Sequence, residues 1–304
     1  MGISLSYLHL LGMEQVRHPI KGDVLTVGQQ AVYGTLEDVK NIFMSYGLKL
    51  KSLKEGFDSK NKIPAWVGTP WGKFTNAQTV MMLLGAERVF VTDISDYEHP
   101  DYIIDLNYDI NEEYYERFDA ILDAGTLEHV FDISVALSNL VKMLKKGGRI
   151  ILISPSSNAI DHGFYSFSPT LFFDFFTANG FSNFSCYLIE GSNFNFMKKS
   201  KIYRYNHIGK DCPLTSKNRV EVCFFATKNN DINLKKINKP VQSIFSSFYW
   251  DKKKYGKDAS GKLKIFKKYL RKIEFYSRNF RPEFIDIFYK SRKRKKNLTY
   301  LGRF

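Results

Sequence analysis

Several acidic and imidazole side chains of this sequence follow directly on short apolar runs. Asp93 and Asp123 each end such a run, and the pair Glu128-His129 comes shortly after Asp123. His162 follows another apolar run further along the chain. A carboxylate can accept hydrogen bonds from two neighbouring hydroxyl groups, and an imidazole with a pKa of about 6.5 can accept a proton near neutral pH. These residue types therefore suit the binding of a polyol and general-base catalysis.

The stretch from Phe118 to Pro155 predicts the element that positions two of these groups. An apolar run ends on Asp123, a helical pattern of apolar residues follows, and Gly147-Gly148 ends the helix. A second apolar run, residues 150–153, completes a strand–helix–strand unit. Strands joined in this way are parallel and buried, so the loop after Asp123 is expected at the carboxyl edge of the sheet, where open α/β folds bind ligands.

The residue pattern of this unit is similar to that of a known family. The string D-x-G-T-L-E-H-V, then a helix, then L-K-x-G-G-R and a strand ending in proline, resembles class I S-adenosylmethionine-dependent methyltransferases. The resemblance implies an α/β, Rossmann-like, doubly wound and mostly parallel sheet of seven strands. Its expected order is 3-2-1-4-5-7-6, with the last strand pair antiparallel. It also implies S-adenosyl-L-methionine as cofactor and no metal.

The resemblance also assigns the cofactor contacts. Asp93 stands where the family binds the ribose hydroxyls, and Asp105 where it reaches the adenine, although an aspartate there can instead start a turn. The first strand departs from the family's D-x-G-x-G-x-G loop, because Thr26 replaces the acid and only Gly28 matches a motif glycine. The full predicted cofactor set is Gly28, Gln29, Asp93, Ile94, Asp105, Leu106, Asp123, Gly125 and Thr126.

Two strings resemble a narrower methyltransferase-like group that is associated with surface-glycan gene sets. They are V-L-T-V-G-Q-Q near the first strand and H-G-F-Y-S-F-S-P after the fifth. The second string places His162 on the acceptor side of the expected pocket, where it is the candidate general base. Tyr165 would orient the acceptor, and His129 is the rival base. Alternatively, His162-Gly163 is only a turn.

Charge and composition divide the chain unevenly. The 304 residues are 44% hydrophobic and carry a net charge of +14, yet residues 231–304 hold 22 Lys and Arg against 6 Asp and Glu. We predict a domain over residues 1–230, with an insertion at about 49–74, and a basic, partly helical tail over 231–304. The tail could contact an anionic membrane surface, nucleic acid or a protein partner.

Three functions remain open from the sequence. The leading prediction is methyl transfer from S-adenosylmethionine to an O or N nucleophile, on a small molecule, a glycan or a glycan precursor. The altered glycine loop keeps open a non-catalytic Rossmann-like module in glycan or lipid assembly. A third reading is a nucleic-acid methyltransferase recruited by the tail. The three cysteines lack C-x-x-C spacing, and no apolar run is long enough to span a bilayer. We therefore expect a cytoplasmic protein. It would be held peripherally at a membrane if the tail binds lipid.

Overall fold

A computed structural model describes residues 2–53, 74–191, 199–207, 214–229, 232–243 and 298–304. Within these residues the main sheet has nine strands. They are β2 (Gly22–Val27), β5 (Ala86–Asp93), β6 (Tyr102–Ile103), β7 (Phe118–Ala124), β8 (Leu144–Ser157), β9 (Phe181–Glu190), β10 (Lys201–Tyr205), β11 (Val220–Lys228) and β12 (Leu298–Arg303). A small three-stranded sheet joins β1 (Gly2–Ile3), β3 (Ala31–Val32) and β4 (Thr75–Asn76).

The strand order of the main sheet is β12-β10-β9-β11-β8-β7-β2-β5-β6. Counted along the seven predicted strands, this is 3-2-1-4-5-7-6, and β11 runs antiparallel to both of its neighbours. The predicted order is therefore confirmed. The predicted count of seven is wrong, because β10 and β12 extend the β9 edge by antiparallel pairing.

Helices cover both faces of this sheet. They are α1 (Leu5–Arg17), α2 (Leu36–Ser45), α3 (Ala77–Leu84), α4 (Ile133–Met143) and α5 (Pro169–Ala178). Neighbouring residues of a strand point to opposite faces, and two separate cores follow: Leu122 lies in the core that contains α1, α2 and α3, whereas Ile121 lies in the core that contains α4 and α5. This is the doubly wound arrangement.

Local sequence signals set the helix ends. Thr35 and Asp38 form a reciprocal capping box at the start of α2, in which the Thr35 side chain accepts from the Asp38 amide and Asp38 accepts from the Thr35 amide. Ser168 caps α5 and Pro169 occupies its first turn. Both starts depend on capping groups that lie within a few residues of one another in the sequence.

The terminal residues of the chain belong to the main sheet. β12 pairs with β10, and the amide and carbonyl of Phe304 both bond to Ser200. The division at residue 230 and the helical part of the tail stay predictions, and the last described residues of the tail form a strand. The predicted insertion falls largely outside the described residues, as does the basic segment 244–297. Among the described residues no helix has the length and apolarity required to cross a membrane.

Candidate active site

The carboxyl ends of three parallel strands meet at the centre of the main sheet. Val27, near the end of β2, pairs with Thr92 of β5 on one side and with Asp123 of β7 on the other. The loops that leave these strands therefore start from one edge. The strands that follow β2 in the chain lie first on one side of it, as β5 and β6, and then on the other side, as β7 and β8. This change of side makes the carboxyl end of β2 the topological switch point, where open α/β sheets bind ligands.

Gly28 makes the turn that leaves β2. Its φ is +76°, in the left-handed region, and its amide donates to the carbonyl of Thr92 at 2.7 Å. A Cβ on Gly28 would lie 2.9 Å from Thr126 Oγ1 and 3.1 Å from Gln30 Nε2. Glycine is thus needed here both for the backbone conformation and for the closeness of two polar side chains.

Thr126 and Gln30 tie the first loop to the loop after β7. The Thr126 hydroxyl donates to the carbonyl of Val27 at 2.9 Å, and Gln30 Nε2 donates to the same carbonyl at 2.8 Å. The Thr126 amide donates to Asp123 Oδ1 at 3.0 Å. The predicted residues Gly28, Thr126 and Asp123 are therefore brought together. Gln30 was not predicted as a site residue, although it is the last residue of the V-L-T-V-G-Q-Q string.

Asp93 lies beside Gly28. Its Oδ1 accepts from the Ser95 amide at 3.2 Å, and its Oδ2 lies 3.9 Å from the place that a Cβ on Gly28 would occupy. The next side chain, Ile94, is exposed. The Asp93 carboxylate thus lies at the carboxyl end of β5, next to the backbone of Gly28, and this position is compatible with the predicted ribose role.

The other predicted cofactor contacts have varied surroundings in the structure. Asp105 Oδ1 accepts from both the amide and the side chain of Asn107, at 2.9 and 2.8 Å, so this aspartate closes a turn. Leu106 is buried and belongs to the hydrophobic core. Gln29 Oε1 accepts from Gln78 at 3.0 Å, and Gly125 adopts a positive φ of +106°. The adenine role of Asp105 and Leu106 stays a prediction.

Two buried acids stand behind this edge. Asp123 and Glu128 both have no exposed surface, and Asp123 Oδ2 and both carboxylate oxygens of Glu128 have no hydrogen-bond partner within the described residues. Burial raises the pKa of Asp123 to about 7 and, with the charge of Asp123 adding to it, that of Glu128 to about 8. Two neighbouring acids that resist ionisation are characteristic of a site that takes a polar or cationic ligand.

His129, His162 and Glu128 form a second cluster beside the first. The two imidazole rings meet edge to face with centroids 5.2 Å apart, and His162 Nε2 lies 3.5 Å from Glu128 Oε1. Burial, followed by the positive charges of Arg219 and His129, lowers the pKa of His162 to about 4. His162 is therefore neutral at pH 7. The significance of Glu128 was missed from the sequence, where it was noted only as the neighbour of His129.

The segment after β8 is held against Glu128. A Cβ on Gly163 would lie 2.7 Å from the carbonyl oxygen of Glu128, and the Tyr165 amide donates to that oxygen at 3.3 Å. The Tyr165 hydroxyl donates to the carbonyl of Phe131 at 2.6 Å. That bond uses its proton, so Tyr165 could meet an acceptor only through its oxygen. Phe131 and the largely exposed Phe164 pack edge to face at 5.6 Å and form an aromatic rim.

The residues at this edge fit a nucleoside carrying a charged amino-acid moiety. Asp93 can accept from vicinal hydroxyls, Gly28 leaves room for close approach, and the orphaned Oδ2 of Asp123 can accept from an ammonium group. Besides Thr26 in place of the family's acid, the side chain of Gln30 departs from the family pattern, because it lies where further glycines would leave space. S-adenosylmethionine has the donor groups that this set would hold.

Comparison with known proteins gives structural neighbours only. No protein-family model matches the sequence, and a search of curated proteins finds no match. Similar solved structures include a CurJ carbon methyltransferase, with 12% identity and a TM-score of 0.39 over 75% of this chain and 54% of that one. A SAM-dependent methyltransferase from Archaeoglobus fulgidus has 11% identity and a TM-score of 0.36, over 73% of this chain and 94% of the other. A 1,6-didemethyltoxoflavin-N1-methyltransferase from Burkholderia thailandensis, solved with S-adenosylhomocysteine, has 12% identity and a TM-score of 0.34. The match covers 74% of this chain and 78% of the other. These scores describe partial overlap of the backbones.

Proposed function

We propose that this chain is an S-adenosylmethionine-dependent methyltransferase acting on an oxygen or nitrogen nucleophile. The observation that supports it most is the convergence of Gly28, Asp93 and Asp123 at the switch point of a sheet ordered 3-2-1-4-5-7-6. Asp93 would hold the ribose hydroxyls, Gly28 would give the backbone its close approach, and Asp123 would take the ammonium group. The bound cofactor supplies an activated methyl group.

The protein's own work would then be alignment and proton removal. The acceptor would lie over the cluster of Glu128, His129 and His162, which follows the loop after β7 and the end of β8. His162 is neutral at pH 7, so its unpartnered Nε2 can accept a proton from the nucleophile. Its low pKa also makes it a weak base, and the more exposed His129 is the alternative.

We further propose a glycan or glycan precursor as the acceptor. The support is the segment around His162, which resembles glycan-associated sequences, together with the aromatic rim of Phe131 and Phe164 beside the two histidines. Exposed aromatic faces suit the apolar faces of sugar rings.

Binding of S-adenosylhomocysteine by calorimetry tests the proposal. The wild-type protein should bind one molecule, and Asp93→Ala should weaken binding by about 2 kcal/mol, as for the loss of hydrogen bonds to a charged group. Asp96→Ala is the matched control, because Asp96 is a mostly exposed aspartate of the same loop whose Oδ1 lies 3.7 Å from His99 Nδ1. Equal affinity of the Asp93 and Asp96 variants would remove Asp93 from the site.

A non-catalytic module is the second candidate. One specific observation favours it: the Gln30 side chain bonds to Val27 and Thr126 across the corner where the family has glycines. If wild-type protein shows no detectable binding of S-adenosylhomocysteine or S-adenosylmethionine, this second function replaces the first. The basic tail, which we propose as a contact for an anionic surface or partner, has no bearing on that measurement.

A further inference from the structure

Three side chains that can ligate a metal converge on the acceptor side of the candidate site. Glu128, His129 and His162 each present one ligand atom, and these atoms all lie within 4.8 Å of one another. Glu128 and His129 come from the 3-10 turn after β7, and His162 comes from the loop after β8. The sheet order therefore assembles the group from two loops that are separated in sequence by a helix and a strand.

The cluster lacks the hydrogen bonds that would explain it as a structural network. Both carboxylate oxygens of Glu128 and the Nε2 of His162 have no hydrogen-bond partner among the described residues, and the Glu128 side chain is wholly buried. Leaving one buried polar group unpaired costs about 1–3 kcal/mol. A buried carboxylate and an imidazole nitrogen that approach each other without hydrogen-bond partners indicate a missing ligand that both share.

The spacing fits a shared cation better than a direct ion pair. Glu128 Oε1 and His162 Nε2 are 3.5 Å apart, whereas a charge-assisted hydrogen bond is about 2.7–2.9 Å long. Ligands that each lie about 2.0–2.2 Å from a tetrahedral ion are themselves roughly 3.3 Å apart. His129 is the exposed member, and rotation of its side chain can bring its nitrogen to the same distance.

We propose that Glu128, His129 and His162 bind one divalent first-row transition-metal ion such as Zn²⁺, leaving at least one coordination position open. Two imidazole nitrogens and one carboxylate oxygen are a donor set that such ions favour, whereas Mg²⁺ and Ca²⁺ prefer oxygen ligands alone. The sequence predicted no metal, because neither His-x-x-His nor Cys-x-x-Cys spacing marks the site.

The metal would refine the chemistry of the acceptor, and this step rests on the proposed methyltransferase function. An open position on such an ion takes an oxygen ligand and lowers the pKa of a bound hydroxyl group. The acceptor would accordingly be a hydroxyl compound rather than an amine. His162 would then be a ligand of the metal and not the general base, so the hydroxyl proton would pass to solvent water. The methyl group would move from the sulfonium sulfur to the alkoxide oxygen, and the donor would leave as S-adenosylhomocysteine.

The test is metal binding by the full chain in the absence of any methyl donor. After treatment with a chelator, the protein is titrated with Zn²⁺ by calorimetry, and with Co²⁺ while its visible absorption is recorded. We expect one ion per chain and a Co²⁺ spectrum typical of four or five ligands. His129→Ala and Glu128→Gln should each weaken Zn²⁺ binding at least about tenfold, since even changes to groups that merely orient ligands cost that much.

A control variant and a check of folding complete the test of the metal site. His99→Ala is the control, because His99 is exposed and lies outside the cluster, and it should bind Zn²⁺ as wild type does. Thermal unfolding shows which variants are folded, and His129→Ala, which removes an exposed side chain, should keep its fold. No Zn²⁺ binding by wild type, or equal binding by wild type and the His129→Ala variant, would overturn the proposal. Affinity for S-adenosylhomocysteine is measured separately, so either proposal can fail alone.

Discussion

The backbone of Gly163 lies directly against the carbonyl of Glu128. A Cβ at position 163 would stand 2.7 Å from that oxygen, closer than real Cβ contacts come, and a tight 3.1 Å from Glu128 Cγ. This approach brings His162 over the Glu128 carboxylate and couples the loop after β8 to the turn after β7. A residue that carries no functional group thus sets the distance between two that do.

Gly163→Ala should separate the two loops. We expect Zn²⁺ affinity to fall at least about tenfold, comparable to the loss of a ligand-orienting group, while affinity for S-adenosylhomocysteine stays unchanged. Gly191→Ala is the matched control, because its nearest neighbour would be Ser200 Oγ at an ordinary 3.6 Å and its φ is not positive. Unchanged Zn²⁺ affinity in Gly163→Ala would show that the close approach does not position the cluster.

Gly28→Ala tests the opposite side of the site. Alanine in a left-handed conformation costs about 1–2 kcal/mol of unfolding free energy, and here its Cβ would also crowd Thr126 and Gln30. Gly47→Ala separates these effects, since Gly47 has a similar φ of +72° with nothing within 4 Å of a Cβ. Both variants should lose stability in urea unfolding, but only Gly28→Ala should bind S-adenosylhomocysteine more weakly, by at least about 1.4 kcal/mol. Equal affinities would exclude Gly28 from the site.

The main elements of the fold could be predicted because their signals are local or periodic. Asp93 and Asp123 end apolar runs in the sequence and end strands in the structure. The topology then followed from the family resemblance, and the observed order of the seven strands agrees with it. β12 could not be predicted, because its stability comes from pairing with β10 across a long stretch of chain rather than from its own short sequence.

The site was harder to predict than the fold, for a similar reason. Candidate groups such as His162 were identifiable by residue type, but the burial that lowers the pKa of His162 is a property of the packed structure. Glu128 illustrates this most clearly, since in sequence it is an ordinary acid before a histidine. Its lack of hydrogen-bond partners becomes visible only when two loops meet.

Removal of residues 298–304 should lower stability without affecting cofactor binding. The deletion removes the pairing with β10, the bond from Ser6 Oγ to the Phe304 carbonyl at 2.8 Å, and the ring contact between His9 and Phe304. Each kcal/mol lost corresponds to ~2–4 °C for a domain of this size, so we expect a midpoint several degrees lower. β12 lies at the sheet edge away from β5, hence an unchanged dissociation constant for S-adenosylhomocysteine is expected. A weaker affinity would mean that this strand supports the site.

Breaking a buried ion pair should strongly destabilise the core beneath α1. Arg149 Nη2 donates to Glu14 Oε2 at 2.6 Å, and the Tyr187 hydroxyl donates to Glu14 Oε1 at 2.7 Å, with all three residues buried. Arg149→Met would leave the buried Glu14 charge with only the partly exposed Arg17, whose Nη1 lies 3.5 Å from Glu14 Oε1, and breaking a buried pair costs about 3–5 kcal/mol in comparable cases. Urea unfolding of this variant should therefore show a much lower midpoint, because the buried acid loses its closest cation.

Two comparisons identify the cause of that loss. Arg88→Met removes an ion pair between Arg88 and Asp23, but Arg88 is 68% exposed, so the unfolding midpoint should barely move. Adding Glu14→Gln to Arg149→Met removes the stranded charge while keeping an acceptor for the Tyr187 hydroxyl, so the double variant should recover part of the lost stability. If the double variant is less stable than Arg149→Met alone, the loss does not come from an unpaired charge. It then comes from the other contacts of the arginine, namely its packing against Phe225 and its hydrogen bonds to Thr227 and Asn183.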